Sequence, residues 1–572
     1  MIRKLIPFAA LVSVVAAGAC SDNSLAVQNP NSGDTKRVLG SPADAENLLG
    51  SYFKRWVVGM YGSTGDIQGM ANIFSLENMS SLANNCQNSH YPFGTSVNYN
   101  QPSGNVCTGE NQRLYAILGE VNRVATSFLT AQAAGLTLGT AARDNRDAAF
   151  AEFLNGVAIG SVALWYDSLG VVSVGMSTQD AGKLIGYKAA GDSALLHLQN
   201  AIDLAGKSNT SSDGFPIPAT WMPGPLSYSQ AEFIKLVRTY RARIRANLAR
   251  TPAERAAVDW AAVVADAQAG ITADEDVTAS TTAGPNMSGW RSQYDSFSTW
   301  DQMPPFIIGW ADTSGNYAGW IGQALGARGS GGQNFFMATP DKRFPQGDTR
   351  VAQQADFKIQ SCEVPQVGPA YSCARYFVNR PAGNDQFVGP GWGFSQYDFA
   401  RFHGWVQKGD AGSARNGTTP IFVKPELDML QAEGLYRQGN YAGAVALVNI
   451  TRTKNGLPPI TASDATSPVP GTATTCIPKV PQAPNFNTVG CGKLLDALKY
   501  EKYIETAFTN FSGWFLDERG WGDLPANSPT FWATPFQDLQ ARGYPLTAIY
   551  GTGPGPGNAP NSVAVGPTTY GW

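Results

Sequence analysis

Residues 424–459 read KPELDMLQAEGLYRQGNYAGAVALVNITRTKNGLPP, a pattern that predicts two short helices joined by a tight turn. Gly439 and Asn440 separate two runs in which apolar residues recur at helical spacing. Gly456 stands where a left-handed residue commonly ends a helix, and Pro458 follows close behind it. The second run carries one apolar stripe at positions i, i+3, i+4 and i+7, formed by Tyr441, Ala444, Val445 and Val448.

Paired helices with small and aromatic residues at interlocking positions resemble tetratricopeptide (TPR) repeats. One such pair cannot bury its apolar face alone, so neighbouring pairs are expected to stack. Pairs are predicted at residues 111–166, 185–247, 425–454 and 494–511, the last with a partner helix. Between residues 275 and 420 helical periodicity fades, and Gly, Pro, Asn and aromatic residues dominate. We therefore predict an all-α, mainly helical fold with TPR-type pairs within 111–270 and 425–511 and a loop-rich insertion at 275–420.

The N-terminus has the pattern of a secretory signal peptide. Arg3 and Lys4 precede an uncharged, mostly apolar run that ends in AGA, directly before Cys20. The stretch AGAC resembles the bacterial lipobox, in which the cysteine is lipidated and becomes the new N-terminus. We predict a signal peptide over residues 1–19, lipidation of Cys20 and a polar tether over 20–40. The alternative is a plain signal peptide that is cleaved nearby and leaves this thiol free.

The chain has seven cysteines, an odd number that needs an explanation in a secreted protein. If Cys20 carries lipid, six remain, and they fall into three couples that are close in sequence. We predict the pairs Cys86–Cys107, Cys362–Cys373 and Cys476–Cys491, because disulfides persist outside the cytoplasm. The alternatives are free thiols or another pairing, since six cysteines allow fifteen connectivities. With three histidines and no tight cysteine spacing, a zinc site is not expected.

Composition narrows the class of function. The 572 residues carry a net charge of −3, so nucleic acid is not an expected partner. Charged residues make up 15% of the chain, and neutral polar and aromatic residues are plentiful, which suits a neutral polar ligand such as a sugar. After the signal peptide, we expect no segment apolar and long enough to span a membrane. The common hydrolase and phosphate-binding motifs are missing from the sequence, so we expect neither an enzyme nor a bound cofactor or metal.

Four stretches in order give the chain a family resemblance: SPADAENLLGSYF (41–53), FAEFLNGVAIGSVALWYDSLG (150–170), AEGLYRQGNYAGAVALVNITRTKNGLPPI (432–460) and YEKYIETAFTNFSGWFLDERGWG (500–522). Together they resemble the SusD/RagB-type nutrient-binding outer-membrane lipoproteins over nearly the whole chain. Lys502 and Tyr503 stand where that family usually has arginines, and Asp517 is displaced by one position.

The resemblance implies one SusD-like domain over residues 41–572, with TPR-type pairs supporting a loop-rich ligand face. It further implies a lipid-anchored protein on the outer side of the cell outer membrane, with the lipid as its contact with the membrane. Its partner would be a SusC-like TonB-dependent transporter, to which it delivers oligomeric nutrients, usually glycans. The alternatives are a secreted α-helical glycosidase, a peptide-binding lipoprotein of the same family, and a structural lid that barely contacts ligand.

Two segments hold the candidate ligand-binding residues. Tryptophan and tyrosine rings stack on sugar faces, and Trp290, Tyr294 and Trp300 have the most polar neighbours in the aromatic-rich insertion. The alternative is burial in the core, which we expect for Trp310 because it follows Phe-Ile-Ile. The resemblance also points to the loop after the first helix, with Asn84, Asn85, His90 and Tyr91 as candidates; local hydrogen bonding within the loop is the alternative.

Two charged clusters invite a chemical interpretation but favour a plainer one. Asp517 and Arg519 predict an ion pair or capping network in the scaffold. The run Asp274-Glu275-Asp276 lacks the spaced oxygen ligands and glycine of an EF-hand loop, so a solvated turn is expected.

Overall fold

The structure is a computed structural model. It describes residues 38–61, 67–79, 108–177, 180–208, 213–286, 303–324, 327–328, 335–359, 375–380, 395–401, 417–509, 513–526, 528–545 and 568–572.

The mainly α fold is confirmed. The helices are α1 Pro42–Tyr61, α2 Ile67–Phe74, α3 Thr108–Ala133, α4 Ala141–Trp165, α5 Tyr187–Lys207, α6 Gln230–Asn247, α7 Pro252–Ala256, α8 Trp260–Gln268, α9 Pro305–Ile308, α10 Asn316–Ile321, α11 Arg350–Ile359, α12 Lys424–Arg437, α13 Tyr441–Lys454, α14 Leu494–Thr506, α15 Gly513–Trp521 and α16 Phe536–Ala541.

The described strands are short and form antiparallel pairs. They are β1 Ser168–Gly170 with β2 Leu184–Gly186, β3 Glu275–Ala279 with β6 Gly417–Phe422, β4 Phe377–Asn379 with β5 Tyr397–Phe399, and β7 Lys479–Pro481 with β8 Val489–Cys491. The pair β3–β6 joins the two borders of the predicted insertion, because Ala279 lies opposite Gly417.

Helix α4 is the centre of the N-terminal helices and packs against α3, α5 and α6. Thr140 caps its start by accepting a hydrogen bond from the Arg143 amide at 3.2 Å. Gly156 allows α5 to come close, since a Cβ there would lie 2.5 Å from Cγ of Leu198. The backbone of α4 at Gly156 therefore lies in close contact with a side chain of α5, as a stacked helix array requires.

The expectation that no later segment is long and apolar enough to span a membrane was wrong. Helix α4 has 25 residues and is long and apolar enough, by length and composition alone, to cross a membrane. Its most apolar part is entirely buried inside the protein, so the apolar character serves the core of the helix array.

Residues 424–459 form the predicted helix pair, α12 and α13. Pro425 lies in the first turn of α12, where its missing N–H costs nothing. Between the helices, Gly439 has φ of 77°, and the Asn440 side chain accepts a hydrogen bond from the Gly443 amide at 3.0 Å. Gly456, with φ of 81°, ends the second helix as the sequence predicts.

Charged side chains link helix α14 to the insertion. Arg343 reaches Asp341, Glu501 and Glu505 at 2.7–3.1 Å, and all four are buried. Lys502, one of the departures from the family pattern, contacts Asp517 at 2.7 Å instead of standing in solvent. The insertion is thus tied to α14 by buried ion pairs as well as by apolar packing.

The predicted network of Asp517 and Arg519 differs in its partners. Asp517 contacts Arg255 at 3.0 Å in addition to Lys502. Arg519 instead donates to main-chain carbonyl oxygens of Asn247 and Thr530. The sequence placed both side chains in the scaffold but did not indicate that they serve different elements.

The solvated turn expected at Asp274-Glu275-Asp276 is wrong. Glu275 is 1% exposed and begins β3, whose pairing with β6 covers it. Its carboxyl accepts a short hydrogen bond from the Tyr228 hydroxyl. Asp274 accepts from the Lys424 amide at 2.7 Å, so it helps to start α12. A strand partner about 140 residues downstream thus changes a polar run into a buried one.

A disulfide joins Cys476 and Cys491, the pairing that the sequence predicts. It closes the β7–β8 hairpin just before α14. The pairs Cys86–Cys107 and Cys362–Cys373 lie outside the described residues, as does Cys20.

Candidate functional site

The predicted ligand-binding residues all fall outside the described part of the chain. Trp290, Tyr294 and Trp300 lie between residues 286 and 303, and Asn84, Asn85, His90 and Tyr91 lie between 79 and 108. The described residues that border the first of these segments can nevertheless be examined. Trp310, at the far end of the aromatic-rich stretch, is fully buried, as expected.

A pocket of about 450 Å³ opens directly before the tryptophan-rich segment, which follows Asn286 and carries Trp290 and Trp300. We call it the polar pocket. It is lined by Ser51, Tyr52, Lys54, Arg55, Val58, Glu120, Ser280, Thr281, Thr282, Ala283, Gly284, Pro285 and Asn286. Asn286 is four residues from Trp290, a separation that spans at most about 14 Å of extended chain.

One wall of the polar pocket is a polar trio on α1 and α3. Arg55 donates from Nη2 and Nε to Oε2 of Glu120, at 2.8 and 3.0 Å. The Tyr52 hydroxyl donates to the other carboxylate oxygen at 3.1 Å. Partial burial, together with the charge of Glu120, raises the pKa of Tyr52 to about 12, so the phenol is neutral and keeps its donor proton. Tyr52 and Arg55 are three positions apart on α1, so they lie on the same face of the helix.

The opposite wall is the turn that follows β3. Ser280 accepts hydrogen bonds from the amides of Thr282 and Ala283, at 3.2 and 3.0 Å. Its own amide donates to the Pro285 carbonyl at 3.0 Å, and Gly284 bends the chain with φ of 62°. Lys54 Nζ approaches the Ala283 carbonyl at 3.5 Å across the pocket. Residues 280–286 thus form a compact turn that presents hydroxyl groups beside α1.

This arrangement suits a neutral, hydroxyl-rich ligand. The pocket offers a phenol ring, hydroxyl groups, an amide and a paired guanidinium and carboxylate, which can donate to and accept from sugar hydroxyls. Of the described lining residues, Glu120 is the one carboxylate, and Arg55 holds it. Glycoside hydrolysis usually takes two carboxyl groups that flank the scissile bond, so the described walls do not supply that pair.

Sequence reasoning missed the polar pocket. Tyr52 and Arg55 share a helix face, which periodicity alone could have shown. Their partner Glu120 is 65 residues downstream of Arg55, and no local pattern links them. The hydroxyl-bearing run 280–282 was a usable signal, since it directly precedes the tryptophan-rich segment.

A second pocket, about 840 Å³ in volume, lies at the other end of α1. Apolar and small residues dominate its walls, among them Leu39, Ala131, Ala134, Leu136, Val172 and Met176. Its character is unlike that of a site for sugar hydroxyls. Within the described residues, no group of three or more His, Cys, Asp or Glu side chains is arranged to hold a metal ion.

No family model matches the chain, and no curated protein matches it. Solved structures do. The chain is similar to a SusD superfamily protein from Bacteroides vulgatus, with 10% identity over 88% of this chain and 98% of that one and a TM-score of 0.53. It is equally similar to a SusD homolog from Bacteroides thetaiotaomicron, with 12% identity over 89% of this chain and 96% of that one and a TM-score of 0.53. At these identities the likeness concerns the fold.

Proposed function

The chain has the SusD-like fold, and from this premise we propose that it is a surface-exposed, glycan-binding lipoprotein. It captures oligomeric nutrients outside the cell and delivers them to a SusC-like TonB-dependent transporter in the outer membrane. Binding is non-covalent, and the ligand leaves unchanged. The observation that carries the proposal is the extent of the fold, which covers nearly the whole of both similar proteins and 88–89% of this chain.

The polar pocket supports a sugar as the ligand. A neutral phenol, the turn hydroxyl groups and the Arg55–Glu120 pair provide both donors and acceptors, which a pyranose needs around its ring. The tryptophan-rich segment begins one residue beyond the pocket and supplies rings for stacking. We therefore propose that Trp290, Tyr294 and Trp300 complete the site, with Asn84, Asn85 and Tyr91 on a neighbouring loop.

The lipid anchor follows from the N-terminal sequence. Lipidation of Cys20 ties the domain to the membrane through the polar tether over residues 20–40. More than one acyl chain on that cysteine makes the anchoring stable. An outward orientation from the outer membrane fits a role in nutrient capture.

The test is a calorimetric titration of the purified chain with a panel of neutral oligosaccharides, which measures the affinity for each. The informative variant is Arg55→Gln with Glu120→Gln, which removes the ion pair from the pocket wall without leaving one charge alone. We expect about a tenfold loss of affinity, the value of one or two lost hydrogen bonds to the ligand. Lys235→Gln with Glu232→Gln is the matched control, because that pair is similarly exposed on α6 and lies outside the pocket.

Three outcomes would redirect the proposal. Shortened oligosaccharides in the calorimeter cell after the titration would favour the secreted glycosidase. Saturable binding of oligopeptides, with no response to any glycan, would favour the peptide-binding alternative. Equal affinities for the pocket variant and the α6 control would remove the polar pocket from the site.

A further inference from the structure

Two arginines are buried in the helical core without a carboxylate partner. Arg250 follows α6 and is 3% exposed, and Arg519 on α15 is 0% exposed. Within the described part of the chain, neither guanidinium forms an ion pair. We call them the arginine pair.

The arginine pair differs from three other buried arginines, Arg243, Arg255 and Arg343. Arg243 is held by both oxygens of Glu426 at 2.7 Å, and Arg255 by both oxygens of Glu433 at 2.6 and 3.0 Å. Arg343 has three carboxylate partners. A buried cation is costly unless an opposite charge and hydrogen bonds compensate it, and these three are compensated.

The two guanidinium groups converge on one small region. Arg519 donates to the Asn247 carbonyl at 2.7 Å and to the Thr530 carbonyl at 2.9 Å. The first acceptor lies three residues before Arg250, and the second directly precedes Phe531. Cζ of Arg250 lies 5.0 Å from the centre of the Phe531 ring. Both side chains therefore bridge the end of α6 and the segment 528–534.

Three guanidinium nitrogens of the arginine pair have no acceptor among the described residues. Arg250 uses Nη2 to reach the carbonyls of Ala163 and Tyr166, at 3.0 and 2.5 Å, and its Nε and Nη1 have no hydrogen-bond partner. Arg519 uses both Nη atoms, and its Nε has none. Buried donors that lack acceptors cost roughly 1–3 kcal/mol each when the group is desolvated. The region offers donors and positive charge but lacks acceptors.

Nearby carboxylates do not resolve this imbalance. Burial lowers the pKa of Arg250 to about 10, and attraction from Tyr187, Asp167 and Glu254 opposes the effect. Burial also lowers the pKa of Arg519, and the positive charge of Arg250 lowers it further. Glu254 is engaged by the Tyr187 hydroxyl and by Lys188 Nζ at 2.6 and 2.9 Å. Arg250 thus remains charged at neutral pH, beside a second cation.

We propose that the arginine pair binds a small inorganic anion, of the size of chloride, between the two guanidinium groups. Such an anion accepts several N–H donors at once and supplies the missing negative charge. The site ties the C-terminal segment 528–534 to α4 and α6, and it is independent of the glycan pocket.

The test uses the full chain and changes only the anion. Thermal unfolding is measured in sodium chloride, sodium bromide and sodium gluconate at matched ionic strength. A bound halide raises the midpoint by a few degrees over gluconate, and the rise grows with the logarithm of halide concentration. Crystals grown in bromide are expected to show an anomalous peak between the two guanidinium groups.

Arg250→Gln removes one side of the site and is expected to abolish the halide dependence. The matched control is Arg375→Gln, which removes an arginine that is paired with Asp356 at 2.8 Å. This variant is expected to keep the halide dependence. If Arg250→Gln does not fold, the anion dependence and the bromide peak of the unchanged chain still decide. Equal midpoints in halide and gluconate, or water in place of a bromide peak, would overturn the proposal. Glycan titrations in either salt report on the proposed function separately.

Discussion

Replacing Glu275 by glutamine is expected to remove a pH dependence from the stability of this protein. The Glu275 carboxyl is 1% exposed on β3 and accepts a hydrogen bond from Tyr228. Its second oxygen has no hydrogen-bond partner among the residues that the structure describes. Burial raises the pKa of Glu275 from 4.5 to about 8, the Tyr228 hydrogen bond opposes this, and the charges of Asp276 and Glu232 add to it. The folded protein therefore keeps a proton that the unfolded chain releases.

The sign of the effect follows from the two pKa values. Below pH 4.5 both states hold the proton, and Glu275 costs no stability. As the pH rises from 4.5 to about 8, only the unfolded state loses its proton, so the free energy of unfolding falls. At 1.36 kcal/mol for each pKa unit, the loss is about 3 kcal/mol by pH 7 and approaches 5 kcal/mol above pH 8.

The assay is urea unfolding of the full chain at pH 5, 6, 7 and 8. Glutamine does not titrate, so the difference in unfolding free energy between wild type and Glu275→Gln should shift by roughly 3 kcal/mol in favour of the variant from pH 5 to pH 8. Asp203→Asn serves as the control, because Asp203 is an exposed carboxylate on α5. A wild-type-minus-variant difference that is constant over this range would refute the reasoning.

Three further predictions concern the anchor and the scaffold. Cys20→Ala should move the protein from the membrane to the soluble fraction of cells, as judged by fractionation and by loss of radiolabelled palmitate; continued membrane retention would contradict lipidation at this residue. Gly156→Ala should lower the free energy of unfolding by about 1–3 kcal/mol, because the new methyl group meets Leu198, and an unchanged urea midpoint would contradict that contact. Replacing Cys476 and Cys491 by serine should cost about 3 kcal/mol, the value for a loop of 15 residues; equal stability of the serine variant and the oxidised wild type would contradict a stabilising disulfide.

The helix pairs were predictable because their signals are local. The turn between α12 and α13 needs a left-handed residue and a helix cap. Gly439 supplies the first and Asn440 the second, at adjacent positions in the sequence. The apolar stripe of α13 repeats at helical spacing, so the buried face follows from the sequence alone. The SusD-like fold itself was predicted from the resemblance of four sequence stretches, taken in order, to that family.

The polar pocket and the buried Glu275 were not predictable, because distant residues create them. Glu120 meets Arg55 only when α1 and α3 pack side by side. Glu275 is buried only when β3 pairs with β6, and no pattern within the acidic run signals that partner. Long-range contacts of this kind determine which polar residues leave water, and sequence periodicity does not report them.

The most direct test of the central claim is to recover the ligand after binding. The purified full chain is titrated to saturation with the oligosaccharide that binds best, the complex is isolated, and the released sugar is analysed for chain length by mass spectrometry. The account predicts saturable binding and release of an oligosaccharide of unchanged length. Release of shortened products, or a failure of every glycan in the panel to saturate the protein, would contradict it.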